Sequence, residues 1–412
     1  MKRKSSKLLH DLRRSPLRLT FWCEMSKTAW IWNAPAWPEL TFKVERLAPS
    51  LKQARSEAAR LFGKAEAIGA TDLAGVEREV WSGEAVSTAA IEGETLNLAS
   101  VRSSIARRLG ITPDFMAAVP QNVEGLLDVM ENAAADWDAD LTKQRLCRWQ
   151  AALFPAEGTA LRNIATGRFR THEDPMQIVS GPTGKEHVHY VAPPSAAVPA
   201  EMHTFLKWFN ATRAGPEDGL VRAGMAHLWF ESIHPFEDGN GRVGRAIVDL
   251  ALAQDVRRAT RLHGVSSELR RRQTQYYDAL NRAQRGTGDI TDWLEWFLEV
   301  YVDACRASSR LVDESLMRAR YWSDHRGVAL NARQRKVINK MLEAGPGRFE
   351  GGLTLRKYAG ITDISRATAF RDLEDLVKNG MLLAEGTGRG TRYNLALPGW
   401  EWKPSDRDVP VR

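Results

Sequence analysis

At 412 residues, with 43% hydrophobic and 26% charged residues, the chain is too long for one core and has the composition of a soluble globular protein of two or three domains. No apolar run approaches the ~18 residues of a membrane helix, and three scattered cysteines (Cys23, Cys147, Cys305) form neither a disulfide framework nor a zinc pattern, which points to a reducing cytoplasm. The net charge of +7 is uneven: residues 1–24 hold seven Lys/Arg against two acids, residues 326–395 hold thirteen against seven, and the stretch between them is mildly acidic.

In chain order, the basic stretch 1–24 lacks a clean apolar signal segment because Arg18 interrupts "SPLRLTFWC". It reads as a disordered arm or as an extension ahead of an initiator at Met25. The Trp- and Pro-rich run "WIWNAPAWPELTF" (30–42) predicts an ordered loop or short strands packed on a helical body. From Val44, apolar residues three and four apart predict helices, with Gly93 as a C-cap of "TDLAGVEREVWSGEAVSTAAIEG". More helices are expected over 99–155. A hairpin is expected over 176–191, around a Gly-Pro turn, with helices again from Ala200 to Ser309. "GPTGKE" within the hairpin lacks the Ser/Thr after Lys185 and the spacing of a phosphate-binding P-loop. His187 and His189, two apart on a strand, fit an exposed face or a shared metal. Three helices and a hairpin with a glycine-rich tip over 326–395 make the winged-helix order, and 396–412 is a tail.

The chemistry concentrates in "HPFEDGNGR", residues 234–242. It joins two helical stretches, so "DGNG" sits at a helix N-terminus, where unpaired N–H groups and the positive dipole end favour phosphate. His234 can move a proton near neutral pH. Asp238 is a hard oxygen ligand suited to Mg²⁺, which arrives with substrate phosphates. Arg242 and Arg245, three apart, share a face of the first turn and can grip a polyphosphate. Phe236 packs inward as an anchor. A lone His-Pro or a lone Gly-Asn-Gly would be an ordinary turn; base, metal ligand, anion cradle and two arginines within twelve residues are not.

This segment resembles the Fic family signature, His-x-Phe-x-(Asp/Glu)-Gly-Asn-Gly-Arg-x-x-Arg, at all eight defined positions: His234, Phe236, Asp238, Gly239, Asn240, Gly241, Arg242 and Arg245. The resemblance extends over roughly residues 25–310. It implies a mainly α-helical Fic-fold bundle with a β-hairpin flap, transferring AMP from ATP to a protein hydroxyl. On that likeness His234 is the base and Asp238 holds Mg²⁺ across the α- and β-phosphates. Gly239, Asn240 and Gly241 cradle phosphate oxygens, and Arg242 and Arg245 grip the β- and γ-phosphates. It divides the chain into the arm 1–24, an N-terminal helical region 25–110, a catalytic core 111–310, the winged helix 326–395 and the tail.

"STAAIEG" (87–93) is similar to the family's inhibitory pattern through Thr88, Glu92 and Gly93. Glu92 near a helix C-terminus meets the wrong end of the dipole, so a cationic partner would relieve it. The resemblance suggests Arg245, whose occupation would block productive ATP binding, and the same Glu would then also help remove AMP. The hairpin would align a target segment by strand addition. Tyr276 and Tyr277 line an adenosine pocket or pack in the core. Arg366, Thr368 and Arg371 fit DNA contacts of a winged helix, with Arg389 and Arg392 on the wing. Asp372, Glu374 and Asp375 argue instead for docking a protein or a second copy. The expected function is an autoinhibited protein AMP transferase, itself among its targets. The alternatives are AMP removal, use of another nucleotide, or a DNA-binding regulator that uses the site to sense ATP.

Overall fold

The computed structural model describes residues 30–111, 118–154, 164–180, 187–215 and 217–401. The arm 1–24, Met25, the hairpin turn with Lys185, the side chain of Arg389 and residues 402–412 lie outside them. The chain is mainly α-helical and divides into two compact units. One comprises the residues up to Gly63 and Ala74–Ser309; the other comprises Lys64–Leu73 and the residues from Arg310 onward.

In the first unit α1 (Val44–Glu66) buries Leu47, Ala54, Ala58 and Leu61 at helical spacing. α2 (Ala70–Ile91) ends at Gly93, whose φ of +77° suits a residue without Cβ. Asn97 and Thr142 cap α3 (Leu98–Arg108) and α5 (Lys143–Ala152), accepting from Ser100 and Arg145 amides, with α4 (Gln121–Ala135) between them. Strands β1 (Gln177–Ser180) and β2 (His187–Val191) pair antiparallel, Gln177 opposite Val191. α6 (Val198–Ala211) leads to α7 (Gly219–Ile233), in which every residue from Leu220 to Ile233 is buried. A helix buried on all faces needs no polar stripe, and none is present. α8 (Asn240–Val256) packs along it. α9 (Val265–Arg271), α10 (Gln273–Gln284) and the first part of α11 (Thr291–Asp324) complete the bundle.

The Trp-rich segment forms no paired strand. It holds a short 3₁₀ turn at Ile31–Asn33 and an isolated bridge from Thr41 to Asp289, because Pro35 and Pro38 remove ladder donors. It packs largely on the hairpin: Trp30 meets Tyr190 edge-on at 5.2 Å, and Trp32 Nε1 donates to the Val191 carbonyl at 2.7 Å.

α11 continues past Ser309 into the second unit, since no Gly or Pro interrupts residues 291–324. The second unit contains α12 (Ala332–Ala344), started by an Asn331/Gln334 capping box, then α13 (Leu355–Thr362) and α14 (Arg366–Lys378). β3 (Leu382–Glu385) and β4 (Arg392–Leu395) follow as an antiparallel pair. Val337, Ile338, Tyr358, Leu373 and Leu376 form its core.

Candidate active site

The loop between α7 and α8 is fixed from three sides. Asp218 starts α7 by accepting from the Leu220 amide at 2.8 Å. Phe236 is fully buried, and Asn240 brackets its backbone: Oδ1 accepts from the Phe236 amide and Nδ2 donates to its carbonyl, both at 2.8 Å. The Asn240 side chain thus holds the loop, and only its backbone amide is left to a phosphate. Gly239 takes φ +87° as α8 begins, with Phe154 where a Cβ would stand.

His234 ends α7 in the left-handed region, φ 51° and ψ 60°. A non-glycine residue there is strained, and such strain clusters at functional sites. Arg170, a residue with no motif around it, holds the strained stretch. Its guanidinium donates to the His234 carbonyl (2.8 Å), the Ile233 carbonyl (3.2 Å), the Pro193 carbonyl (2.6 Å) and Ser195 Oγ (2.9 Å). Burial, then the nearby Arg170 charge, pulls the His234 imidazole down to about 4, so it is neutral and able to accept a proton at pH 7.

At the start of α8 two buried guanidiniums face carboxylates. Arg245 donates from Nε to Thr88 Oγ1 (2.6 Å) and from Nη2 to the Thr88 carbonyl (3.1 Å) and Glu92 Oε1 (2.7 Å). Burial pushes the Glu92 carboxyl up, but Arg245, with Arg242 beyond it, holds it below the usual carboxylate range. Gly241 is a necessity here: a Cβ on it would collide with Glu92 Oε1. Arg242 stacks over Phe154 and reaches Glu94 Oε2 from Nη1 at 3.0 Å. Both motif arginines are therefore occupied by carboxylates from the chain just after α2. Glu92 sits against the helix N-terminus, where an anion is favoured.

Asp238, 40% exposed at the loop mouth, accepts from the Gly239 amide at 2.6 Å, and its carbonyl accepts from Gln150 Nε2 at 3.3 Å. Among the described residues no three His, Cys, Asp or Glu side chains converge to hold a metal. Mg²⁺ needs only one or two carboxylates when phosphates supply the other ligands, and Asp238 fits that role. Tyr276 is buried, its hydroxyl 2.9 Å from His227 Nε2; Tyr277 is half exposed and donates to the Ile91 carbonyl at 3.2 Å. Of the two, Tyr277 presents surface to a ligand. His187 and His189 lie with ring centroids 4.7 Å apart on β2.

In the second unit Arg366 and Arg371 are exposed on α14, and Thr368 is half-buried with its hydroxyl 3.0 Å from the Ser365 cap. Asp372 is buried, accepting from Arg333 Nε at 2.9 Å and the Tyr358 hydroxyl at 3.0 Å, and Asp375 accepts from Gln334 at 2.8 Å. Arg392 donates to the Gly351 carbonyl. No described helix is long and apolar enough to cross a membrane.

Sequence reasoning misses Arg170, Glu94 and Glu231. The first two act through contacts distant in sequence. Glu231, whose Oε2 lies 3.6 Å from His234 Nδ1, carries a local signal in its spacing of three on one helix.

Residues 140–252 match the Fic/DOC family, and residues 30–111 match a domain of unknown function (DUF4172). Over 94 residues, 23% of this chain, the sequence is 32% identical to a probable protein adenylyltransferase of Aquifex aeolicus (strain VF5). The chain spans about a quarter (26%) of that relative. A Fic family protein from Desulfovibrio desulfuricans superposes with a TM-score of 0.52 at 23% identity, covering 87% of this chain and 98% of that one, and so shares its fold. A Fic domain-containing signaling protein from Bacteroides thetaiotaomicron aligns with a TM-score of 0.48 at 16% identity, over 63% of this chain and 97% of that one. Residues 140–252, which hold His234, the start of α8 and the paired arginines, are thus the part of the chain that matches the Fic/DOC family.

Proposed function

We propose that this chain is an autoinhibited enzyme that transfers AMP from ATP to a Ser, Thr or Tyr hydroxyl of a protein, itself included. The observation that carries the reading is the pair of buried guanidiniums, Arg242 and Arg245, beside the start of α8 and on the same loop system as His234. Two such cations at a helix N-terminus suit a polyphosphate, and Glu92 and Glu94 stand where its oxygens would go. In the transfer, the acceptor hydroxyl gives its proton to His234. Its oxygen bonds to the α-phosphorus, the bond from that phosphorus to the β-phosphate breaks, and pyrophosphate leaves. Backbone amides of Gly239, Asn240 and Gly241 orient phosphate oxygens, and positioning with charge neutralisation supplies most of the rate. Mg²⁺, held by Asp238 together with the nucleotide, would neutralise phosphate charge. Thr88 orients Arg245 toward Glu92, and Gly93 ends α2 so that Glu92 reaches it.

The test is incubation of the Glu92→Gly chain with lysate and ATP labelled at the α- or the γ-phosphate. Label that depends on His234, lost in His234→Ala, should come from the α position alone. His234-dependent entry of γ label, or no His234-dependent label from the α position, would overturn the reading. AMP removal, or preference for another nucleotide, would show in the same assay run backwards or with other triphosphates.

A second reading concerns residues 326–395, which we infer form a DNA-binding winged helix. The supporting observation is that Asp372 and Asp375 are tied to Arg333, Tyr358 and Gln334. The exposed start of α14 is then Arg366, Ala367, Phe370 and Arg371, a basic and apolar face suited to a groove. Docking of a protein or a second copy is the outcome if duplex DNA does not bind.

A further inference from the structure

Glu231 lies one turn before His234 on α7 and has no part in the reading above. Its side chain is 6% exposed, with Oε2 3.6 Å from His234 Nδ1. Glu231 Oε1 and His234 Nδ1 are both buried without a hydrogen bond of normal length, and the Glu231 backbone carbonyl also faces the imidazole. Buried polar atoms are seldom left unpaired, and a shift of a few tenths of an ångström would join the two side chains. The neighbouring helix is shaped to admit the carboxyl: a Cβ on Gly244 of α8 would lie 2.5 Å from Glu231 Oε1. Because Nδ1 is the buried nitrogen, Nε2 is left to face a substrate.

We propose that Glu231 is a positioning residue whose carboxylate accepts the Nδ1 proton of His234, fixing the tautomer with its lone pair on Nε2. The proposal rests on His234 being the base. A neutral imidazole carries its proton on either nitrogen, and with the proton on Nε2 the base is blocked. When the acceptor hydroxyl passes its proton to Nε2, the resulting imidazolium sits beside Glu231, which offsets its charge. Burial pushes the Glu231 carboxyl up to about 8; Arg245 opposes this and Glu92 adds to it. Above that pH Glu231 is the ionised acceptor, and removing Glu92 shifts it further in the same direction. The same acid that occupies Arg245 would thus also disfavour the active tautomer.

The test uses the full chain, ¹⁵N-labelled at histidine, in the Glu92→Gly background at a pH above the Glu231 value of about 8. Long-range ¹H–¹⁵N spectra locate the His234 proton, the resonance being assigned by its loss in His234→Asn. The Nδ1–H form should dominate in Glu92→Gly and give way to a mixture when Glu231→Ala is added. Gly244→Ala, which expels the carboxyl from the α8 side, should produce the same change. In AMP transfer Glu231→Ala should lower kcat about 10- to 100-fold with KM for ATP unchanged, and Glu231→Gln should recover part of it. An identical tautomer population with and without Glu231 would overturn the proposal. The spectra need neither nucleotide nor target, so a tautomer change without AMP transfer would sink the base reading and leave the positioning contact standing.

Discussion

Removing Glu94 as well as Glu92 takes apart the two carboxylate contacts on the motif arginines one at a time. Arg245 is 3% exposed and Glu92 32%, with 2.7 Å between them. Unit charges ~4 Å apart at an effective dielectric of 20 attract by about 4 kcal/mol. Rewetting a partly exposed acid on release leaves a net hold of roughly 2–3 kcal/mol, or about 30- to 150-fold in the open population. Glu94 is 34% exposed on Arg242. A pair so screened is worth about 1 kcal/mol or less, a factor of about five. Initial rates of α-labelled AMP incorporation should therefore rise about 30- to 150-fold in Glu92→Gly and no more than about fivefold in Glu94→Gln. The double variant should approach the product of the two, unless the neighbouring acids couple. Arg245→Ala added to Glu92→Gly should erase the gain. Equal activation by either single variant, or a gain that survives loss of Arg245, would refute the assignment of the main hold to Glu92.

Arg170→Ala strips the donors from three carbonyls and one hydroxyl around the loop, and should cost about 3–5 kcal/mol in urea unfolding while lowering AMP transfer. His263 is buried between Phe62 and Tyr301, both ring nitrogens unpartnered, and burial pulls it down to about 4. Its unfolded form takes a proton below pH ~6.5, so its contribution is present at neutral pH and lost as pH falls toward 4. His263→Phe should accordingly gain about 2 kcal/mol on the wild type between pH 7.5 and 5. A constant difference would show that His263 does not titrate on unfolding. By fluorescence anisotropy the full chain should bind duplex DNA, and Arg366→Ala with Arg371→Ala should lower the slope of log affinity against log salt by about two. Unchanged binding in that double variant would move any interface off α14.

The motif behind the proposed chemistry is legible in the sequence because its residue types stand at fixed spacings, all within one loop and one helical turn. The helices of the first unit are legible for the same reason, since their apolar residues repeat every three or four positions. Contacts that join distant stretches are not. Arg170 stands in "GRFR", which has no periodicity or pattern, and its role exists only once the chain has folded around His234. Glu94 lies one residue beyond a recognisable pattern, but its partner is 148 residues away. The Trp-rich start is ambiguous in another way: aromatic residues favour strands, the prolines forbid the ladder, and the fold resolves the conflict with a 3₁₀ turn. Conversely, the continuity of α11 can be read from the absence of any Gly or Pro, whereas a domain boundary invites a break.

The left-handed backbone of His234 also makes the protein amenable to capture chemistry. That conformation costs a bulky residue about 1 kcal/mol and costs Asn less. His234→Asn should therefore keep the loop, the Arg170 contacts made through backbone carbonyls and the whole α8 cradle, and lose only the proton acceptor. Under the proposed function, combining it with Glu92→Gly would yield a chain that holds nucleotide and acceptor together without consuming either. Immobilised with ATP, such a chain would then serve as bait, holding the protein acceptor that the proposed transfer requires long enough for it to be identified.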